Sequence, residues 1–218
     1  MKMIKGIVCD MDGTLVDFPN EPFHSSWDAL GELLDEEVKR EWYWLRDFYY
    51  PKKERYLEWF NKQVALLKGL ALERVEDALF PLPYSSGVRE FFSDSKDYLK
   101  GILSSGISVV AEKIASELGF GFVRCAYLEI KDGIFSGRGS FDVKMWKKDE
   151  DLEAMACEMG LSLDEVLYVG DNENDIPAFE VAGISVAFRP KTDETKRYAD
   201  YVINNFRELN EILKAEGC

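Results

Sequence analysis

Ile4-Lys5-Gly6-Ile7-Val8-Cys9-Asp10-Met11-Asp12-Gly13-Thr14 begins as a short apolar run and ends abruptly in two acids. A β-branched run closed by an Asp/Gly turn reads as a buried strand followed by a loop. In an extended chain, residues two apart share a face, so Asp10 and Asp12 point the same way. Carboxylates that close repel each other, and one pKa rises unless a cation intervenes. The pair suits a hard-metal site with a nucleophile and a proton donor side by side. A polar strand-to-loop turn, with Gly13 supplying an unusual φ, accounts for the same letters equally well.

Similar apolar runs recur at residues 99–103, 166–169 and 184–188, with helical spacing between them at 108–118, 149–159 and 175–181. A hairpin is expected at 125–130 and 134–137, turning on Asp132-Gly133. Short strands alternating with helices of 10–15 residues predict an α/β fold. That fold is a Rossmann-like, mostly parallel sheet flanked by helices. Residues 15–84 differ in kind. They hold four of the five tryptophans, Trp27, Trp42, Trp44 and Trp59. Helical spacing runs through 25–34, 56–67 and 71–79, punctuated by Pro19, Pro22, Pro51, Pro81 and Pro83. The expected organisation is therefore a core of residues 1–14 and 85–218 with an all-helical insert at 15–84.

Open sheets of this class bind ligands beyond the carboxyl ends of their strands. Ser104-Ser105-Gly106 follows the second run and is expected to open a helix, where a hydroxyl and free N–H groups can hold phosphate oxygens. Simple N-capping explains an isolated Ser-Ser-Gly as well. Gly170-Asp171-Asn172-Glu173-Asn174-Asp175 follows the third run. Asp171 there is a second carboxylate for a metal held by Asp10, and Asp175 can orient it from behind. The alternative is capping, since Asp175 precedes Ile176-Pro177. Lys148 heads the acidic turn Asp149-Glu150-Asp151, against the preference of a helix N-terminus. Taken alone it reads as a solvated lysine.

In this order, the Asp10-Met11-Asp12-Gly13-Thr14 loop, the strand-end Ser104, the helix-heading Lys148 and Gly170-Asp171 with Asp175 resemble the haloacid dehalogenase superfamily of aspartate-dependent phosphohydrolases. The likeness is to its phosphoserine phosphatase-like members, through residues 130–137 and the spacing of Lys148 from Asp171. The all-helical insert at 15–84 stands in the position of a cap domain in that family. The resemblance implies a phosphomonoesterase acting on a small phosphorylated metabolite through an aspartyl-phosphate. Asp10 would be the nucleophile and Asp12 the acid and base. Mg²⁺ would be held by Asp10, the main-chain carbonyl of Asp12 and Asp171, with Asp175 in support. Ser104, Ser105, Gly106 and Lys148 would hold phosphate, Lys148 also offsetting the charge on Asp10. Asn174 would contact ligand or Lys148.

The insert departs from that family. Gln63 stands where its cap offers an arginine for the substrate carboxylate, and a neutral amide provides no bidentate charged clamp. Pro19 occupies the spacing of its amine-reading glutamate, with Glu21 two residues away. Phosphoserine is therefore not the expected substrate. The aromatics of the insert are read first as packing for its own core, and second as a hydrophobic or sugar-stacking pocket. Lys52, Lys53 and Arg55 form a basic run that reads as a solvated face or a greeting for an anionic substrate. Cys9 is expected to be a buried strand residue, and His24 is left between pocket and surface.

Acids outnumber bases 41 to 27, a formal charge of −14 over 218 residues. Such a balance repels a phosphate backbone or an anionic bilayer, so neither nucleic acid nor membrane is an expected partner. The apolar N-terminal run is too short for a signal peptide, no run approaches a membrane span, and the four cysteines have no disulfide or metal spacing. A cytoplasmic location is expected, and the oligomeric state is open. A sugar-phosphate mutase shares every core residue of this reading. A non-catalytic phospho-ligand sensor is the third alternative, against which Asp12 argues, because a mere phosphate acceptor needs no adjacent acid.

Overall fold

A computed structural model describes residues 3–18, 24–95 and 97–217; Pro19 and Glu21 lie outside these. Seven strands form one sheet: β1 (Gly6–Cys9), β2 (Leu99–Ile107), β3 (Phe122–Lys131), β4 (Ile134–Phe141), β5 (Val166–Gly170), β6 (Ile184–Phe188) and β7 (Tyr201–Ile203). Their order is β4-β3-β2-β1-β5-β6-β7, with only the β3–β4 pair antiparallel. The chain leaves β1 toward β2 on one side and later returns to β5 on the other. The ends of β1, β2 and β5 therefore flank the switch in winding direction, where a crevice opens in such sheets. Register keeps those ends level, since Cys9 pairs with both Ile102 and Val169.

The pleat sends alternate side chains to two apolar layers. Ile7, Cys9, Leu167, Val169, Ile184 and Val186 join one cluster, while Val8, Val166, Tyr168 and Ala187 join the other. The second layer is covered by α7 (Lys148–Glu158) and α8 (Ile176–Val181). The first lies beneath α5 (Val88–Asp94), α6 (Ser108–Leu118) and α10 (Leu209–Ala215). The helix α9 (Asp193–Tyr198) precedes the edge strand β7.

Between β1 and α5 the elements are helical: α1 (Ser26–Glu32), α2 (Glu36–Tyr49), α3 (Tyr56–Leu66) and α4 (Leu72–Leu79). α2 buries Trp42, Leu45 and Tyr49, a spacing of three and four that places them on one face. The entry and exit of this segment run side by side, with Val16 bridged to Tyr84 and the Ser85 amide donating to the Leu15 carbonyl. Its helices rest on the β3–β4 hairpin, where amides of Gly69 and Leu72 donate to carbonyls of Phe135 and Gly133. Trp42, Phe60, Val64 and Leu67 share one apolar cluster with the sheet. Trp44, by contrast, is 58% exposed and stacks on Phe48.

Two local expectations are corrected. Residues 104–106 do not open a helix: β2 continues to Ile107, with its pairing to β3 broken between Leu103 and Ile107, and α6 starts at Ser108. Lys148 is not a solvated lysine but is fully buried.

Candidate active site

Asp10 is the first residue past β1, its amide tied to the Val169 carbonyl of β5 (2.8 Å). Lys148 reaches it from the head of α7, with Nζ donating to Asp10 Oδ1 (2.7 Å), Asp175 Oδ1 (2.6 Å) and Tyr168 Oη (3.3 Å). Burial by itself would discharge the ammonium, but the two carboxylates outweigh it and hold the Lys148 pKa above its ordinary value. Its three donors are engaged within the protein, and Asn174 is not among their partners. Lys148 is therefore anchored to Asp10, Asp175 and Tyr168.

Asp175 is the hub behind this pair. Its Oδ1 accepts from Lys148 and from Tyr168 Oη (2.8 Å), and its Oδ2 accepts from the amides of Asp171 (2.9 Å) and Asn172 (3.1 Å). The loop after β5 is thereby folded onto its own acid, which presents Asp171 beside Asp10. Asp171 receives a long bond from Thr14 Oγ1 (3.4 Å) and stands 2.7 Å from Lys191 Nζ as an ion contact. The Lys191 ammonium stands against its buried Oδ2. Burial pushes the Asp171 pKa up to about 7, with Lys191 opposing and Asp10 and Asp175 adding to the rise.

Asp12 faces the helical segment. Ser26, at the start of α1, donates its hydroxyl to Asp12 Oδ2 (2.6 Å) and its amide to Oδ1 (3.2 Å). The same hydroxyl accepts from the Ile107 amide (3.4 Å), so one side chain joins α1, the acid and the end of β2. Burial raises the Asp12 pKa to about 7, opposed by the Ser26 bond and aided by Asp10. Asp10 is also raised, by burial first, with Lys148 opposing, Asp175 adding and a Ser104 hydrogen bond lowering it again.

Two glycines exist here for want of room. Gly13 has φ +88°, and a Cβ on it would stand 2.2 Å from Asp171 Oδ2 and 2.8 Å from Lys191 Nζ. A Cβ on Gly106 would meet Met11 Cε at 2.2 Å and Asp12 Oδ2 at 2.8 Å. Gly106 thus permits close approach of the β2 end to Asp12, beside Ser104, whose hydroxyl accepts from the Gly106 amide (3.2 Å).

These groups border a cavity of about 240 Å³. From the sheet come Asp10, Asp12, Ser104, Ser105, Asp171, Asn172, Asn174 and Lys191. From the helical segment come Trp27, Trp42, Tyr50, Tyr56, Trp59 and Phe60, together with Ser25, Asp28, Arg46 and Gln63, and Met145 closes the lining. Trp27 Nε1 donates to the Ser105 carbonyl (2.9 Å), which ties the two halves. His24 is exposed and, like Lys52, Lys53 and Arg55, stands outside this lining. Lys52 caps the Phe48 carbonyl, Lys53 lies over the Trp146 ring and Arg55 pairs with Glu58. Ser26, Tyr168 and Lys191 escape the sequence reading. Tyr168 had a signal, a phenol on the otherwise apolar β5. Ser26 and Lys191 become meaningful only when the sheet brings them to Asp12 and Asp171.

Residues 7–180 match the model of the haloacid dehalogenase-like hydrolases. The chain belongs to that family. This hydrolase is 33% identical over 216 residues to phosphoserine phosphatase of Methanocaldococcus jannaschii, covering 98% of each chain. It is 31% identical to phosphoserine phosphatase of Streptococcus thermophilus, over 88% of this chain and 87% of that one. A solved phosphoserine phosphatase in a phospho-aspartyl intermediate analogue form matches with a TM-score of 0.75 at 30% identity, over 97% of this chain and 99% of the other. The hydrolase is a phosphatase of its family, with the expected α/β architecture. Among the described residues no helix is long and apolar enough to cross a membrane.

The residues present fit a divalent cation. Asp10, Asp171 and Asp175 bring carboxylate oxygens within 4.8 Å of one another, all buried. Oxygen donors of this charge suit a hard ion, and the exposed cation Lys191 at Asp171 Oδ2 shows that positive charge is favoured at this spot. Asp175 already accepts four hydrogen bonds, so its place is behind Asp10 and Asp171.

Proposed function

We propose that this phosphatase is a phosphomonoesterase for a small phosphorylated metabolite, working through an aspartyl-phosphate on Asp10. The observation that carries the reading is the different partnering of two neighbouring carboxylates. Asp10 is gripped by a buried ammonium at 2.7 Å, while Asp12 is turned to Ser26 and poised near neutrality. An ammonium on one acid and a hydroxyl on the other suit a division of work between nucleophile and proton carrier.

An Asp10 oxygen forms a bond to phosphorus as the bond to the leaving alcohol breaks, and Asp12 delivers its proton to that alcohol oxygen. Water then attacks the same phosphorus and gives its proton to Asp12, the phosphorus–Asp10 bond breaks, and both carboxylates are restored. Lys148 keeps Asp10 oriented throughout, and Asp175 and Tyr168 keep Lys148 in place. Ser104, Ser105, Gly106 and Asn174 are suited by position to receive the phosphoryl oxygens. Mg²⁺ held by Asp10, Asp171 and the main-chain carbonyl of Asp12 would supply charge neutralisation between the anionic groups. Residues 15–84 act as the cap that excludes water.

The test is phosphate release from a phosphometabolite panel with Mg²⁺ and with chelator, beside Asp10→Asn and Asp12→Asn. Asp10→Asn is expected to abolish release, and Asp12→Asn to slow it while accumulating a phosphorylated Asp10 peptide. Wild-type rates in Asp10→Asn would remove the nucleophile. Isomerised phosphate esters without free phosphate would move the assignment to a mutase.

A further inference from the structure

We infer that the leaving group of the substrate carries a cationic alkylammonium head and no carboxylate, recognised by an aromatic box on the cap side of the cavity. The inference rests on the hydrolytic reading above and concerns the half of the cavity which that reading leaves unused.

The walls are Trp27, Trp42, Tyr50, Tyr56, Trp59 and Phe60. Several meet nearly at right angles rather than stacking. Tyr50 and Tyr56 stand at 84° and 83° to Trp59, with centroids 6.1 and 6.0 Å away, and Trp27 stands at 84° to Phe60. An edge-to-face pair leaves ring faces uncovered that a stacked pair would cover, and these rings line the cavity. The electron-rich faces of such a box attract a cation, quaternary ammonium most of all.

Charge separates this reading from an anionic leaving group. The one cation lining the cap side is Arg46, among the described residues. Its guanidinium is shared between Asp28 (3.6 Å) and Asp47 (3.0 Å) and lies over the Tyr43 ring. Two carboxylates against one guanidinium leave a negative surplus, and Asp28 itself lines the cavity. Lys191, the other lining cation, is engaged with Asp171 at the sheet end. Gln63 is buried in the wall with its Nε2 directed to the Trp42 carbonyl (3.4 Å), so it brings no charge. A substrate carboxylate would find here Arg46, already shared with Asp28 and Asp47, and the neutral donors Trp59 Nε1 and the Gln63 amide.

The experiment compares kcat/KM with Mg²⁺ for phosphocholine, O-phosphoserine and phenyl phosphate. Phosphocholine is expected to exceed O-phosphoserine by at least about tenfold, the size of a cation–π contact with desolvation. Gln63→Arg should invert that order by placing a fixed cation in the box. Asp28→Asn should lower the phosphocholine to phenyl phosphate ratio. Equal or better use of O-phosphoserine by the wild type overturns the inference, and preference for phenyl phosphate replaces it with a neutral planar group. Turnover of none of the three counts against the hydrolytic reading alone. Choline is then titrated into the wild type and Trp59→Leu by tryptophan fluorescence. Saturable quenching weakened in Trp59→Leu supports the box, and its absence overturns it.

Discussion

The two halves of the cavity are built on opposite rules. The sheet half is a closed set of buried charges: Asp10, Lys148, Asp175 and Tyr168 satisfy one another at 2.6–3.3 Å. The cap half is mostly rings, with one shared guanidinium and one buried amide. A charge network fails when any member is removed, because the remainder is stranded away from water. An aromatic wall degrades by increments, because dispersion and ring electrostatics are spread over many atoms. Reaction type is therefore fixed in one half, and choice of leaving group can drift in the other.

The strongest challenge to this contrast is Lys148→Met. It strands Asp10 and Asp175 in the interior, and we expect about 3–5 kcal/mol of lost stability by denaturant unfolding along with near-complete loss of phosphate release. A stable, active Lys148→Met protein would show that the network is ornamental. Gly13→Ala comes next: a methyl 2.2 Å from Asp171 Oδ2 at φ +88° should cost about 1–3 kcal/mol and weaken Mg²⁺ dependence of activity. Ser26→Ala sits on the seam and removes a buried hydroxyl from Asp12. About 1–3 kcal/mol is expected, with rates falling for every ester alike, since the leaving-group wall is untouched. Trp44→Ser, on the outer face of α2, should stay within about 0.5 kcal/mol and leave the ester preference unchanged.

The smallest effect lies in the hairpin that carries the cap. Glu129 is held down to about 2 by the Ser136 hydroxyl and then Arg138. A pKa lowered in the folded state contributes stability above the unfolded value, about 4.3, which fades as pH falls toward 2. Thermal midpoints of wild type and Glu129→Gln should differ slightly at pH 7 and converge near pH 2.

Much of this was legible in the residues, and the exceptions have physical causes. The apolar runs that became β1, β5 and β6 are buried on both faces, so continuous hydrophobicity marked them. Residues 104–106 looked like a helix start because Ser and Gly are shared by caps and by irregular strand ends; only the break in pairing to β3 separates the two. Lys148 looked solvated because its neighbours are acids. Yet it lies in line with Leu152 and Met155, at steps of four and three, along the buried stripe of α7. A lysine in register with a core stripe carries its own signal. Ser26 carried none, since its partner lies fourteen residues back in the chain. The cap aromatics were weighed as either packing or pocket, and Trp42 and Phe60 are both at once, buried in the common cluster and lining the cavity.

The hydroxyl of Ser26 bridges Asp12 and the Ile107 amide. Any swing of the first cap helix away from the sheet must break both bonds in the same movement. On the proposed mechanism, release of the spent alcohol and rehydration of Asp12 would be geared to that one movement, and a loosened helix would also retune the acid beneath it.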